Sequence, residues 1–244
     1  MYHAPAFGAA EAVAVFLTAV TTFFAISAFL PIGLGSLIAA QLIGMGGVPL
    51  VWALARRRSL LRLGLGRPRL RHLAGAALLG ATFWYASLFL LAPIITALDR
   101  GELRDIERHF IADYSVPARL VALGLVPALC EEIAARGVLA RSLAPRSAPV
   151  AVAVSAIAFA GFHMAPSRLA PMLAFGAVLA FFAVRTGTIW PAIVAHFTNN
   201  AVALLWDAKV IPVLPALANA HPNLAVVVAA TMSLVGIATV ARSA

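Results

Sequence analysis

Charged residues are scarce in this chain of 244 residues. Only 11% of the residues are Asp, Glu, Lys or Arg, and 63% are hydrophobic, whereas soluble domains carry about 25% charged residues. This deficit excludes an ordinary soluble protein and indicates a polytopic membrane protein. One bundle of helices would use nearly the whole length, so we expect a single all-α integral membrane domain over residues 1–244.

Cysteine is equally rare, because Cys130 is the single one. It excludes an internal disulfide and a cysteine-based metal or redox centre, and we interpret it as a small buried apolar residue. Acidic residues number nine against eighteen basic ones, and the net charge is +9. A basic protein can bind nucleic acid, but here the basic residues flank apolar runs. Membrane topology explains them, and we predict no nucleic-acid partner.

Apolar segments divide the chain into about eight candidate membrane helices. A spanning helix needs about 20 mostly apolar residues, and the fifth and sixth segments are short enough to be re-entrant or strongly packed. The start of the chain lacks a basic region, which favours a first membrane helix over a signal peptide. The expected helices cover residues 9–30, 34–55, 73–97, 116–142, 148–164, 169–185, 188–206 and 222–241.

Arginine-rich residues 56–72 predict the orientation of the bundle. Basic loops favour the cytoplasmic side of a membrane, so we place this loop and both termini in the cytoplasm. Residues 98–115 mix charges of both signs. They are typical either of an amphipathic helix at the membrane surface or of a solvated connector.

Two adjacent carboxylates, Glu131 and Glu132, lie in the apolar segment LVPALCEEIAARGVLA. An ionisable group in hydrocarbon costs on the order of 3 kcal/mol, so it is a functional-site hypothesis by default. Arg136 follows Glu132 by four residues and can pair with it on one helix face. Glu131 is rotated by about 100° and stays free to act as a general base. A buried ion pair beside one protonated glutamate is the structural alternative.

Two later segments supply further polar side chains at helical spacing. Phe159 and His163 are four residues apart, as are His196 and Asn200, so each pair shares a helix face. Asn199 is turned away by one position. The remaining histidines lie in terminal or loop segments. Polar residues that gather in one half of an apolar chain favour a functional site over scattered packing.

These residue types fit hydrolysis. Glu131 and His163 can hold and deprotonate a water, and His196 with Asn200 can donate to an oxyanion. A zinc site of His163, His196 and a glutamate is the alternative, although an HExxH motif is absent. In the expected orientation His163 lies nearer the outer side than the other groups. A kink at Pro127 or a re-entrant fifth helix would bring them level.

Together, the three motifs resemble those of the CPBP intramembrane protease family, which includes type II CAAX prenyl endopeptidases and Abi-type proteins. EEIAAR at 131–136 resembles its EExxxR motif, FAGFH at 159–163 its FxxxH motif, and HFTNN at 196–200 its HxxxN motif. The resemblance covers residues of about 115–205, and the first three helices carry no motif of their own.

The resemblance implies a glutamic-type intramembrane endopeptidase without a cofactor, with a metal-dependent version as the alternative. The residues that it assigns are Glu131 and His163 for water activation, His196 and Asn200 for the oxyanion hole, and Glu132, Arg136 and Phe159 for positioning. It implies a membrane-anchored protein or peptide as substrate, and processing of C-terminal anchor segments is one such activity. The oligomeric state is not predicted.

The Arg- and Ala-rich composition is typical of a bacterial protein, which predicts an inner-membrane location. Non-enzymatic immunity or scaffold proteins could use the same polar cluster for packing. A small transporter with the glutamates as a proton relay is a further alternative. Transporters often repeat broken helices in both halves, whereas here the polar groups lie in the second half, which argues against a transporter.

Overall fold

The structure is a computed structural model that describes residues 4–99, 101, 113–210 and 213–242. These residues form helices and contain no strand, which confirms the all-α prediction. The segment 98–115, for which an amphipathic helix and a solvated connector were the two predictions, lies largely outside the described residues. In chain order the helices are α1 (Ala9–Phe29), α2 (Leu34–Ala55), α3 (Leu70–Leu90), α4 (Ala92–Leu98), α5 (116–143), α6 (Ala148–Phe162), α7 (Leu169–Thr186), α8 (Trp190–Asp207), α9 (Val213–Ala220) and α10 (Pro222–Ala241).

Each of the eight apolar segments contains a helix, but the third prediction is wrong at its end. Helix α3 stops at Leu90, and the separate short helix α4 begins at Ala92. Pro93 stands in the first turn of α4, where its missing N–H costs nothing. Among the described residues five helical stretches are long and apolar enough to cross a membrane. They are Ala9–Phe29, Leu34–Ala55, Leu70–Leu90, Pro166–Thr186 and Pro222–Ala241.

Helix α5 lies at the centre of the bundle. Every residue from 130 to 142 is buried, and a helix that is covered on all sides needs neighbours on every face. The apolar cluster around it joins α1, α2 and α6 through residues that include Phe23, Met45, Cys130 and Phe159. The glutamate pair is therefore surrounded by protein and does not face lipid.

Two helices, the central α5 and its neighbour α2, are locally wound as π-helix. In α2 the π segment is Gln41–Gly47, and in α5 there are two, Leu120–Leu125 and Ile133–Ala140. The two π segments of α5 lie on either side of its regular segment Val126–Glu132. π segments insert an extra residue in a turn and occur frequently at functional sites. They turn side chains to directions that a regular helix would not give.

Helix α6 is short, as its segment predicted. Its 15 residues span about 22 Å at 1.5 Å per residue, less than the hydrocarbon thickness of about 30 Å. It ends at Phe162 with His163 as its C-cap, and Met164 then adopts a left-handed conformation with φ 48°. This early end leaves His163 partly buried at the end of α6, with its ring against those of Phe159 and Phe162.

Candidate active site

Arg136 ties the glutamate helix to two neighbours. Glu132 and Arg136 are fully buried, and Arg136 Nη1 donates to Glu132 Oε1 at 2.9 Å, the pairing that their spacing predicts. Arg136 Nη2 donates to the backbone oxygen of Gly176 on α7 at 3.0 Å. Its Cζ lies 4.2 Å from the ring centroid of Phe159 on α6. The guanidinium thus compensates a buried charge and joins three helices.

His196 lies between the two carboxylates. Its Nδ1 is 2.8 Å from Glu132 Oε1, and its Nε2 is 4.0 Å from Glu131 Oε2. Glu132 Oε1 therefore accepts from both Arg136 and His196, whereas the sequence predicted the arginine alone. A carboxylate at Nδ1 fixes the tautomer and the ring orientation of a histidine. The other ring nitrogen then faces Glu131.

Glu131 has two differently placed carboxylate oxygens. Its Oε1 accepts a hydrogen bond from Gln41 Nε2 of α2 at 2.6 Å. Its Oε2 is buried and has no hydrogen-bond partner within the described part of the chain. Glu131 was expected to be free of partners, and the structure corrects this for one of the two oxygens. The oxygen turned towards His196 is the one that stays available.

Sequence reasoning missed Gln41. A polar amide in an otherwise apolar membrane helix is costly to place in hydrocarbon. Like Glu131, it therefore indicates a functional site. Gln41 is 90 residues from its partner in sequence, so no spacing pattern could have indicated the contact.

Phe159 connects the two histidines. Its ring centroid lies 4.7 Å from that of His163 and 5.6 Å from that of His196, both in edge-on contacts. His163 Nδ1 donates to the backbone oxygen of Phe159 at 2.8 Å, so a proton transfer by His163 would use Nε2. His163 is only partly buried. It therefore lies at the more accessible side of the site, while His196 is enclosed.

Asn200 and Asn199 on α8 are coupled. Asn200 Nδ2 donates to the backbone oxygen of Leu123 at 3.0 Å, and Asn200 Oδ1 accepts from Asn199 Nδ2 at 3.3 Å. Leu123 lies in a π segment of α5. Asn200 shares its helix face with His196, as predicted. Its neighbour Asn199 is hydrogen-bonded to it and so is not independent of it. One amide N–H of Asn200 orients the side chain, and the second remains for another acceptor.

Neither the donor set nor its geometry decides between the metal-free and the zinc-dependent alternatives. Across the described residues no three His, Cys, Asp or Glu side chains group as metal ligands. His196 Nδ1 donates to Glu132 Oε1, and a histidine held in this way by a carboxylate keeps Nε2 for another partner, a metal ion included. The contact orients the ring in both alternatives.

Residues 114–202 match the family model of the type II CAAX prenyl endopeptidase Rce1-like proteins. This part of the chain is similar to Rce1-like domains. It contains all three motifs, and the match confirms the resemblance drawn from them. No curated protein and no solved structure gave a match. Five apolar helices among the described residues support an integral membrane protein, and residues 114–202 are similar to a protease family.

The Rce1-like match covers α5 to most of α8 and leaves the first four helices outside. Gln41 therefore lies in a part of the chain that the family model does not describe. We use the name polar cluster for Gln41, Glu131, Glu132, Arg136 and His196. It combines a residue from outside the matched segment with four residues from within it.

Proposed function

We propose that the protein is a glutamic-type intramembrane endopeptidase that hydrolyses a peptide bond of a membrane-anchored protein. One observation carries the proposal: the unpaired oxygen of Glu131 faces His196 Nε2 across 4.0 Å. A general base acts on a proton within about 2.6–3.2 Å. Both groups can therefore contact one water bound between them.

In this proposal Glu131 Oε2 takes a proton from the water, and the hydroxide attacks the scissile carbonyl carbon. His163 helps to hold the water through Nε2, since its Nδ1 is bonded to the backbone oxygen of Phe159. The resulting tetrahedral oxyanion accepts hydrogen bonds from the second amide N–H of Asn200 and from Nε2–H of His196, whose ring is protonated in this step because Nδ1–H already donates to Glu132. The peptide C–N bond then breaks as the proton held by Glu131 passes to the leaving nitrogen. Donors aimed at charge that develops in the transition state provide most of such an acceleration.

Glu132, Arg136 and Phe159 act as positioning residues. Glu132 holds His196 through Nδ1, and its charge balances the histidine when the ring is protonated. Arg136 fixes Glu132 and supports the ring of Phe159. The ring of Phe159 then separates the two histidines at a fixed distance. None of these side chains needs to touch the reacting atoms.

We place the protein in a bacterial inner membrane with both termini cytoplasmic. The arginine-rich loop 56–72 supports this orientation. The Rce1-like name refers to prenylated CAAX substrates, and we propose a wider class here, namely C-terminal membrane-anchor segments of other proteins. The site is buried in the bundle, so the substrate has to enter it in an extended form.

The test compares newly formed peptide termini in membranes of cells that produce wild type, Glu131→Gln or Glu11→Gln. Glu11 is the matched control, a carboxylate that pairs with Arg56 at the surface. We expect termini that depend on Glu131 but not on Glu11, with a loss of about 100- to 10,000-fold in Glu131→Gln. Identical termini in all three samples would contradict the proposal and favour a non-enzymatic scaffold or immunity protein. Loss of activity on chelation, with recovery on adding zinc, would show a metal-dependent enzyme.

A further inference from the structure

We propose that Gln41 is a positioning residue of the catalytic centre, which holds one oxygen of Glu131 so that the other meets the water and His196. This inference rests on the proposed function. It adds a residue from α2 to a site that the motifs place entirely on α5, α6 and α8. The Rce1-like match does not include this residue.

The contact itself is short and enclosed. Gln41 Nε2 lies 2.6 Å from Glu131 Oε1, and Gln41 is only 2% exposed. A hydrogen bond that ends on a charged oxygen is about twice as strong as a neutral one. With Oε1 fixed, rotation of the carboxylate about its last bond is restricted. Oε2 is therefore directed to the side of the imidazole.

The backbone of α2 places Gln41 by close packing. Gln41 begins the π segment Gln41–Gly47, and two glycines in that segment let α2 approach its neighbours. A Cβ at Gly44 would lie 2.7 Å from the backbone nitrogen of Phe23, and one at Gly46 would lie 2.9 Å from Cys130 Sγ. Cys130 precedes Glu131 directly. The irregular winding and the close approach therefore both act at the position where the amide meets the carboxylate.

Packing alone does not account for an amide at this position. The Oε1 atom of Gln41 is buried and finds no hydrogen-bond partner in the parts of the chain that are described. Leaving a buried polar atom unpaired lowers stability. An apolar side chain of similar size, such as methionine, would fill the space without that cost. The bond to Glu131, rather than packing, therefore accounts for an amide at this position.

The experiment uses the full-length protein in lipid nanodiscs and a quenched-fluorescent peptide that spans the strongest Glu131-dependent cleavage site. Gln41→Met keeps the length of the side chain and removes the donor. We expect kcat to fall about 10- to 100-fold, as for loss of one hydrogen bond to a charged group, with KM little changed. Thr82→Val is the control, because it removes a side-chain bond between α3 and α10 far from the carboxylates, and it should keep wild-type kcat.

A second measurement separates positioning from packing. Photo-crosslinking of the same peptide is compared in Glu131→Gln and in the double variant Gln41→Met with Glu131→Gln. If Gln41 acts through the carboxylate, both variants capture the peptide equally. Wild-type kcat in Gln41→Met, a change in KM alone, or weaker capture by the double variant would each overturn the inference. Absence of any Glu131-dependent cleavage would instead overturn the proposed function.

Discussion

Two contacts between helices in this bundle are built in opposite ways. Where α3 meets α10, both helices are regular and touch through Gly75 and Gly236. A Cβ added at Gly75 would lie 2.8 Å from the backbone oxygen of Gly236, and one at Gly236 would lie 2.6 Å from that of Gly75. Small residues of this kind let helices approach closely where lipid gives no hydrophobic drive. We call this pair the glycine contact.

The polar cluster, in contrast, joins helices through charged and amide side chains. Both α2 and α5 are wound as π-helix beside it, and several of its polar atoms lack partners in the described structure. The glycine contact contributes stability by simple packing. The polar cluster keeps unpaired groups and irregular backbone, which cost stability and are typical of sites where chemistry occurs. Substitutions in the two regions should therefore have different consequences.

The largest loss of stability is expected for Arg136→Ala. It removes the arginine that pairs with Glu132 among the described residues, and it breaks the bond to Gly176. Removing one partner of a buried ion pair typically costs about 3–5 kcal/mol. Unfolding in detergent monitored by circular dichroism measures the effect. The double variant Glu132→Gln with Arg136→Gln should unfold less readily than Arg136→Ala, and equal melting of Arg136→Ala and wild type would remove the pair from the stability of the fold.

Asn200→Ala should lower kcat. Loss of one oxyanion donor slows the chemical step by about 100-fold or more with little change in KM. Asn199→Ala should have a smaller effect, since Asn199 reaches the site only by donating to Asn200 Oδ1. Steady-state cleavage in nanodiscs, with folding checked for both variants, gives the comparison. A larger loss of kcat in Asn199→Ala, or an effect on KM alone, would take Asn200 out of the oxyanion hole.

The same two regions show what a sequence can predict. Long apolar runs indicate where helices lie, since spanning length is set by the bilayer, and the i,i+4 spacing of Glu132 and Arg136 predicts their pairing. The hydrogen bond from Gln41 to Glu131 joins helices 90 residues apart and depends on their packing. The π segments and the shared bonding of Glu132 have no local signal. Motifs therefore predicted the candidate residues of the site, and the tertiary structure added partners such as Gln41.

Gly75→Ala tests the glycine contact. The added methyl group meets a backbone oxygen that cannot move alone, and overpacking of this kind costs about 1–3 kcal/mol. Gly35→Ala is the control, because nothing lies within 4 Å of a Cβ at Gly35. Thermal unfolding should separate the two variants, while kcat per folded molecule stays at the wild-type value in both. A Gly75→Ala variant as stable as wild type, or one with a reduced kcat, would contradict the proposed difference between the glycine contact and the polar cluster.

The smallest effect is expected at Thr82, the polar link beside the glycine contact. Thr82 Oγ1 lies 2.9 Å from Ser233 Oγ across the two helices and 2.9 Å from the backbone oxygen of Leu78 in its own helix. Ser233 Oγ lies 2.9 Å from the backbone oxygen of Ala229. Each hydroxyl has one hydrogen, so in the interhelical bond one hydroxyl donates to the other, which donates to its own helix. Ser233 keeps its intrahelical acceptor when Thr82 is replaced.

Thr82→Val should consequently lower the free energy of unfolding by about 0.6 kcal/mol, the average for a hydrogen bond between membrane helices. Thr18→Val serves as the reference, since Thr18 Oγ1 bonds only the backbone of its own helix at Ala14. The difference between the two variants isolates the bond between α3 and α10. Because both helices still meet at Gly75 and Gly236, the glycine contact should hold them together without it. A loss in Thr82→Val larger than in Gly75→Ala would show that this region, too, depends on polar side chains.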